Sequence, residues 1–311
     1  METNRIIIGD ALSTLKTIPD NSIQVCVTSP PYYGLRDYGI AGQLGQEPSP
    51  ADFVAKLVEV FSEVRRVLKP DGTLWLNLGD SYAGSGKGAM ADGTPTGGNK
   101  KRTSAGTQTH GFVKTIAPGY KPKDLIGIPW RVAFALQDDG WYLRQEIIWH
   151  KLNPMPESVK DRCTKAHETI FLLAKSARYY FDYKAIQEPG AASAGKHSHR
   201  KSGSIDTSHV PGASPHTGLH KKGSPREYLL RNKRSVWALP LKPYKGAHFA
   251  TFPTTLIEPC IRAGSRTGDL VLDPFSGAGT TALVAKQLGR QYIGIELNPT
   301  YAALSEKRLA G

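Results

Sequence analysis

The stretch from Asp269 to Leu297, DLVLDPFSGAGTTALVAKQLGRQYIGIEL, constrains the fold more than any other. A short apolar run ends at Leu272, a glycine-containing loop runs from Asp273 to Gly279, and a helical segment starts near Thr280. A second apolar run then ends in an acid, Glu296. Strand, loop, helix and strand in this order predict a parallel βαβ unit of the nucleotide-binding kind. Its glycines let the backbone approach a ligand, and the acid after the second strand accepts hydrogen bonds from ribose hydroxyls. The loop is not GxGxxG, however, because Asp273 precedes Gly277-Ala278-Gly279. A carboxylate there is poor company for a pyrophosphate and suits a ligand with an amino group and a sulfonium, such as S-adenosylmethionine. A structural glycine turn would explain the loop alone; Glu296 at the expected spacing favours the ligand.

The rest of the chain extends the alternation. RIIIGD and SIQVCVTSPPY read as strands, the second with Ile23, Val25 and Val27 alternating. Phe53, Leu57, Val60, Phe61, Val64 and Leu68 fall at helical spacing, and the breaker cluster Lys69-Pro70-Asp71-Gly72 stops that helix. TLWLNLGD is a strand, and a helix starts near Asp124. WYLRQEIIWH and the stretch His167 to Asp182 read as sheet, TTLIEPCIRAG as a helix, and PTYAALSEKRLA as another. This pattern predicts a doubly wound, mostly parallel sheet with helices on both faces.

Two stretches interrupt it. Gly84 to Lys121 is rich in Gly, Thr and Ser and carries Lys100, Lys101 and Arg102. Glu188 to Arg234 holds Arg200, Lys201, Lys221, Lys222, Arg231 and Arg234 with few acids. Neither could build a core. With a net charge of +13 over 311 residues, their basic character points to loops along a phosphate backbone. The three cysteines, Cys26, Cys163 and Cys260, are far apart and form no CxxC pair, so no metal site or disulfide framework is expected. No apolar run approaches the roughly 20 residues that span a bilayer. The first residues lack a basic segment followed by an apolar one, so a secretory signal is not expected and a cytoplasmic location is.

The segment VTSPPYYGLRDYG, Val27 to Gly39, follows a strand and so lies at a carboxyl end, where open α/β sheets bind ligands. Proline lacks an N–H and holds the preceding residue extended. Ser29-Pro30-Pro31 is therefore a stiff piece whose carbonyls are free of a ladder. The Ser29 hydroxyl and the Pro30 carbonyl could accept both hydrogens of one NH₂ group while Tyr32 stacks on the ring that bears it. Two acceptors would turn an exocyclic amine toward sp³ and aim its lone pair at a methyl donor, a catalysis of positioning and electrostatics. Inside a duplex that amine is out of reach, so the base must flip out.

On these residues the sequence resembles the β-class amino-methyltransferases of restriction–modification systems and phages, which methylate N4 of cytosine or N6 of adenine in DNA. Their catalytic signature, [DNS]PP[YF], stands here as Ser29-Pro30-Pro31-Tyr32, and their cofactor loop, DPFxGxGTT, as Asp273 to Thr281. The resemblance implies a Rossmann-like, S-adenosylmethionine-dependent methyltransferase fold, circularly permuted, with a seven-stranded sheet. It divides the chain into a catalytic half (1–153), a last sheet strand with the target-recognition region (154–244) and a cofactor half (245–311). Cofactor contacts are implied for Asp10, Phe249, Thr251, Phe252, Asp273, Pro274, Phe275, Gly277, Gly279, Thr280, Thr281, Glu296 and Asn298, although Asp10 could equally be a helix N-cap. Trp149, Lys151 and Asn153 match a loop whose aromatic can line the base pocket, with Trp149 as a plain core residue the competing reading. Arg36 is a candidate phosphate contact. Double-stranded DNA is the implied partner, with a homodimer and a cognate restriction endonuclease both compatible with the family. The serine form of the signature, preceded by Thr28, usually accompanies N4-cytosine methylation, which is favoured over N6-adenine. Competing readings are an RNA or small-molecule methyltransferase of the same fold, a DNA-binding regulator that no longer turns over, and an NAD-type oxidoreductase.

Overall fold

The computed structural model describes residues 1–35, 40–84, 116, 119–190, 230–241 and 252–311. In chain order its elements begin with β1 (Arg5–Ile8), α1 (Ala11–Leu15), β2 (Ile23–Thr28), α2 (Pro50–Val67), β3 (Leu68–Leu78), α3 (Ile128–Asp138), β4 (Tyr142–Lys151) and β5 (His167–Ala174). They continue with β6 (Glu188–Pro189), β7 (Leu230–Arg231), β8 (Val236–Leu239), α4 (Thr254–Gly264), β9 (Leu270–Asp273), α5 (Thr280–Gln287), β10 (Gln291–Glu296) and α6 (Pro299–Ala310).

Among the described residues, eight strands form one sheet in the order β1-β10-β9-β2-β3-β5-β4-β8. Neighbours are parallel except that β5 runs against both β3 and β4. This is the mostly parallel sheet that the alternation predicts, with one strand more than the seven expected: β8 adds itself to β4 at the edge. Helices α1, α2 and α3 share a core with Ile23, Leu74, Leu76, Phe171 and Leu272 of the sheet. On the other face Gly264 of α4 lies against Val25, Thr73 and Trp75. Covered on both faces, β2 is buried along its whole length rather than on alternate residues.

Helix α2 follows its sequence closely. Ser49 caps it by accepting from the Asp52 N–H at 3.1 Å, Pro50 takes the first turn where no N–H is needed, and Phe53, Leu57, Val60, Phe61 and Val64 are buried in one stripe. It ends at Val67, and β3 begins at once. Lys69 to Gly72, the expected breaker, instead forms an irregularity within β3 between the Ile23–Leu68 and Val25–Thr73 pairs.

Two other expectations shift. The helix expected near Asp124 starts at Ile128, because its cap comes from elsewhere in the chain: Asp80 Oδ1 accepts from the N–H groups of Gly127 and Ile128, both at 3.0 Å. The sheet expected through Asp182 ends at Ala174, since the chain then turns to cover the β3 irregularity, with Lys175 Nζ donating to the Leu68 carbonyl at 2.6 Å and Tyr180 N to that of Asp71 at 2.9 Å.

The chain divides into two compact units, Met1–Asp182 with Ser235–Gly311, and Tyr183–Arg234. The second holds the β6–β7 pair, and Glu188 Oε1 there accepts from Arg231 at 2.9 Å and Arg234 at 2.6 Å. This unit is narrower than the expected region 154–244, whose β5 and β8 both belong to the main sheet.

Asp80→Ala removes the acceptor for two N–H groups of α3 and should cost about 1–2 kcal/mol, read as a lower denaturant midpoint with an unchanged slope. An unaltered midpoint would mean that the cap is dispensable.

Candidate active site

The site lies where the winding of the sheet reverses. Strands β2 and β9 are neighbours, with Val25 opposite Val271 and Cys26 opposite Leu272. From β9 the chain proceeds to β10 on one side, and from β2 to β3 on the other. Such a switch point opens a crevice beyond the strand ends, and here it receives both sequence motifs.

On one side is the glycine loop. Asp273 is buried at the end of β9, and its Oδ1 accepts from Thr28 Oγ1 at 2.6 Å and from Phe275 N at 3.1 Å. Burial raises this carboxyl from the usual range to about 6, even though the Thr28 and Thr281 hydroxyls favour its ionised form. Pro274 is buried beside it. Gly279 opens α5 with φ of 70°, and a Cβ there would collide with Ser305 Oγ of α6, so both backbone conformation and helix approach require glycine. Glu296, at the end of β10, braces the loop: Oε2 accepts from Gly277 N at 2.7 Å and Oε1 from Asn298 N at 2.8 Å. Burial pushes its pKa up. Thr281 Oγ1 donates to the Val27 carbonyl at 3.2 Å, Thr280 Oγ1 accepts from Arg308 at 2.9 Å, and Asn298 caps α6. Phe275 is half-buried, edge-on to Phe61, and Phe252 is half-buried. Asp10 is the N-cap of α1, accepting from Ser13 N at 2.8 Å.

On the other side is the proline segment. Pro30 is buried, and Ser29, Pro31 and Tyr32 are half-buried. The two tyrosines part company: Tyr33 enters the core against Phe53, while Tyr32 stays at the crevice. Tyr32 lies over Gly79, where a Cβ would run into its ring at Cε2. Its hydroxyl donates to Glu168 Oε2 at 2.7 Å and receives Asn77 Nδ2 at 2.9 Å and Ser29 Oγ at 3.3 Å. Asn77 Nδ2 also reaches Glu168 Oε2 at 3.1 Å, and Lys151 Nζ pairs with Glu168 Oε1. Nearby, burial lowers the pKa of Lys165, against the pull of Asp80 and Glu168.

Carboxylates, hydroxyls and backbone groups make up the loop side, and space is open where a Gly277 side chain would project. That donor set suits a cationic ligand with hydroxyls, and S-adenosylmethionine has both. A family profile described as DNA methylase, of the N6/N4 type, matches residues 23–307. The chain belongs to the N6/N4 DNA methylase family.

The relatives agree. The chain is 48% identical over 304 residues to the Type II methyltransferase M.Cfr9I of Citrobacter freundii, covering 97% of this chain and 86% of that one. It is 45% identical to M.SmaI of Serratia marcescens, covering 98% and 90%. Among solved structures, the PvuII DNA methyltransferase (cytosine-N4-specific) has a TM-score of 0.64 at 22% identity, covering 99% and 86%. A DNA modification methylase of Thermus thermophilus, complexed with S-adenosyl-L-methionine, has a TM-score of 0.57 at 25% identity, covering 98% and 93%. The protein is thus a site-specific, S-adenosylmethionine-dependent DNA methyltransferase of the Type II kind.

Several expected site residues of the methylase are engaged within the protein. Trp149 is 2% exposed, with its indole N–H donating to the Leu239 carbonyl at 3.2 Å. The added strand β8 lies beside it, and its burial fits the competing reading of a core residue. Lys151 is held by Glu168, and Asn153 exchanges two hydrogen bonds with the backbone of Leu241. Arg231 and Arg234 share Glu188. Arg36, Lys100, Lys101, Arg102, Arg200, Lys201, Lys221, Lys222, Phe249 and Thr251 lie outside the described residues. Sequence reasoning missed Asn77, Gly79, Asp80 and Glu168. The polar end NLGD of an apolar strand and an acid opening the apolar run HETIFLL were the available signals. No helix among the described residues is long and apolar enough to cross a membrane.

Gly79→Ala should push the Tyr32 ring from its place. The expected result is a large loss of methyl transfer with cofactor binding and the denaturation midpoint near those of the parent; full turnover would show that the contact is unimportant.

Proposed function

We propose that this methylase modifies N4 of a cytosine flipped from duplex DNA. Ser29 Oγ and the Pro30 carbonyl hold the amine, Pro31 stiffens the segment, and Tyr32 stacks on the base. The observation that carries this reading is the Thr28–Asp273 hydrogen bond, which sets the residue before Ser29 against the cofactor loop. An amine held at Ser29 therefore stands beside whatever that loop binds. The choice of cytosine rests on the serine form of the signature.

Asp273, Glu296, Asn298, Thr280, Thr281 and the Gly277–Gly279 backbone would hold the cofactor, with Phe275, Phe252 and Asp10 around it. The bound cofactor supplies an electrophilic methyl group on a sulfonium. The chain's own part is to hold the amine's two hydrogens so that the nitrogen lone pair faces that methyl, and to exclude water from the crevice. The basic stretches around Lys100–Arg102 and Lys221–Lys222 would lie along DNA phosphates, and the unit Tyr183–Arg234 would contribute to target recognition. A restriction endonuclease of matching specificity is the partner activity that a Type II methylase implies.

DNA from a methylation-free host expressing the protein, digested and analysed by mass spectrometry, should contain N4-methylcytosine; N6-methyladenine alone would overturn the choice of base. Ser29→Ala should lower kcat about 10²-fold with DNA affinity within a few-fold, and equal losses in both would count against an acceptor needed mainly in the transition state. Asp273, held near 6 by burial, is largely ionised at pH 7.5 and protonated at pH 5. A cation binds the ionised form better, so calorimetry should show cofactor affinity falling as pH drops through about 6. A flat profile would exclude that contact.

A further inference from the structure

We infer that Glu168 is a positioning residue for the transfer: through Tyr32 it fixes the direction of the Ser29 hydroxyl and takes up the proton that the methylated amine releases. This rests on the reading of Ser29 as the amine's acceptor.

The direction follows from which groups can only donate and which can only accept. Lys151 Nζ and Asn77 Nδ2 carry hydrogens and no usable lone pair, while an ionised Glu168 carries lone pairs and no hydrogen. Glu168 is clamped from both sides, by Lys151 on Oε1 and by Asn77 Nδ2 at 3.1 Å on Oε2. The Tyr32 hydroxyl, 2.7 Å from Oε2, must therefore be the donor in that pair. Its lone pairs are then left to accept, from Asn77 Nδ2 at 2.9 Å and from Ser29 Oγ at 3.3 Å. The Ser29 hydrogen thus points to Tyr32; Asn77 Nδ2, whose two hydrogens have nearer acceptors in Tyr32 and Glu168, stands 3.4 Å from Ser29 Oγ, and an Oγ lone pair is left for the amine. A serine hydroxyl without this constraint could turn its hydrogen toward the amine nitrogen and tie up the lone pair that must attack. The carboxylate sets the polarity of a hydroxyl two hydrogen bonds away.

The same chain carries the proton. Transfer breaks the S–CH₃ bond, forms the N–CH₃ bond and leaves a thioether. The nitrogen, which contributed the electron pair, now holds a methyl and both of its hydrogens and is positively charged. One proton passes to Ser29 Oγ as Ser29 gives its own to Tyr32 Oη and Tyr32 gives its own to Glu168 Oε2. The sum is one proton moved from the base to the carboxylate, with Ser29 and Tyr32 restored. Glu168 is 15% and Lys151 18% exposed, so the acid so formed can return the proton to solvent between turnovers.

The competing account is a partly buried ion pair that only ties β4 to β5. Glu168→Gln and Tyr32→Phe separate the two, since Tyr32→Phe keeps the stacking ring and the ion pair and removes only the hydroxyl. Each should slow single-turnover methyl transfer from labelled cofactor about 10- to 100-fold, with KM for duplex DNA little changed. The double variant should be no slower than the worse single one, because both break the same chain. In wild-type protein without cofactor or DNA, the Tyr32 hydroxyl proton should give a protected low-field NMR resonance that Glu168→Gln loses. Losses that multiply in the double variant, or wild-type rates in both singles, would overturn the relay. If instead Ser29→Ala keeps full turnover, it is the amine-binding reading that fails, and the relay falls with it. Should Glu168→Gln fail to bind cofactor, Tyr32→Phe at the wild-type rate would still overturn the proposal.

Discussion

The hydrogen bond from Thr28 Oγ1 to Asp273 Oδ1, 2.6 Å long and buried, is the constraint on which the site depends. It joins the end of β2 to the end of β9, and so places the two motifs of the chain in one crevice. Thr281 Oγ1 adds a second tie, from the start of α5 to the Val27 carbonyl. Burying a carboxylate is unfavourable unless donors compensate it. Thr28 and the Phe275 N–H compensate in part, and burial still leaves Asp273 near 6. Burial therefore sets the charge of the central acid, and this contact sets the geometry of the site. It also explains why the order of the motifs along the chain is immaterial: adjacency in a parallel sheet is fixed by strand pairing, and β2 and β9 pair whatever lies between them.

Across the crevice, the four residues from Asn77 to Asp80 build most of the support. Asn77 holds the Tyr32 hydroxyl, Gly79 leaves room for its ring, and Asp80 caps α3. Tyr32 is thus fixed at both ends, its ring resting on backbone and its hydroxyl bonded to side chains of β3 and β5. Under the proposal that Tyr32 stacks on the target base, a ring held in advance loses little entropy when the base arrives. Rigidity of this kind comes from the end of a central strand, where the backbone has little freedom to move.

What was legible in the sequence was local. The loop Asp273 to Gly279 and the segment Ser29 to Tyr32 each declare themselves within a few residues, because glycine and proline act on their own backbone. The strand–helix alternation was legible for the same reason. What was not legible came from contacts between distant elements. The start of α3 is set by Asp80, far back in the chain, so the local pattern placed it near Asp124 instead. Glu168 looks like an ordinary acid at the start of an apolar strand until β5 is paired with β3, which sets it beside Asn77 and Tyr32. Trp149 and Lys151 have the composition of a nucleic-acid contact. Only the addition of β8 and the ion pair with Glu168 show that both face inward.

The acids of the site raise a problem that the structure answers. A protein with a net charge of +13 is suited to a polyanion, yet three carboxylates, Asp273, Glu296 and Glu168, stand at its crevice. Each is muted in its own way. Glu168 is matched by the ammonium of Lys151. Glu296 spends its oxygens on the N–H groups of Gly277 and Asn298. Asp273, the most buried of them, gives its Oδ1 to the Thr28 hydroxyl and the Phe275 N–H. Negative charge at the crevice is therefore paired with an ammonium or bonded to hydroxyl and backbone donors before any phosphate approaches. The field that DNA meets is left to the lysines and arginines of the surface.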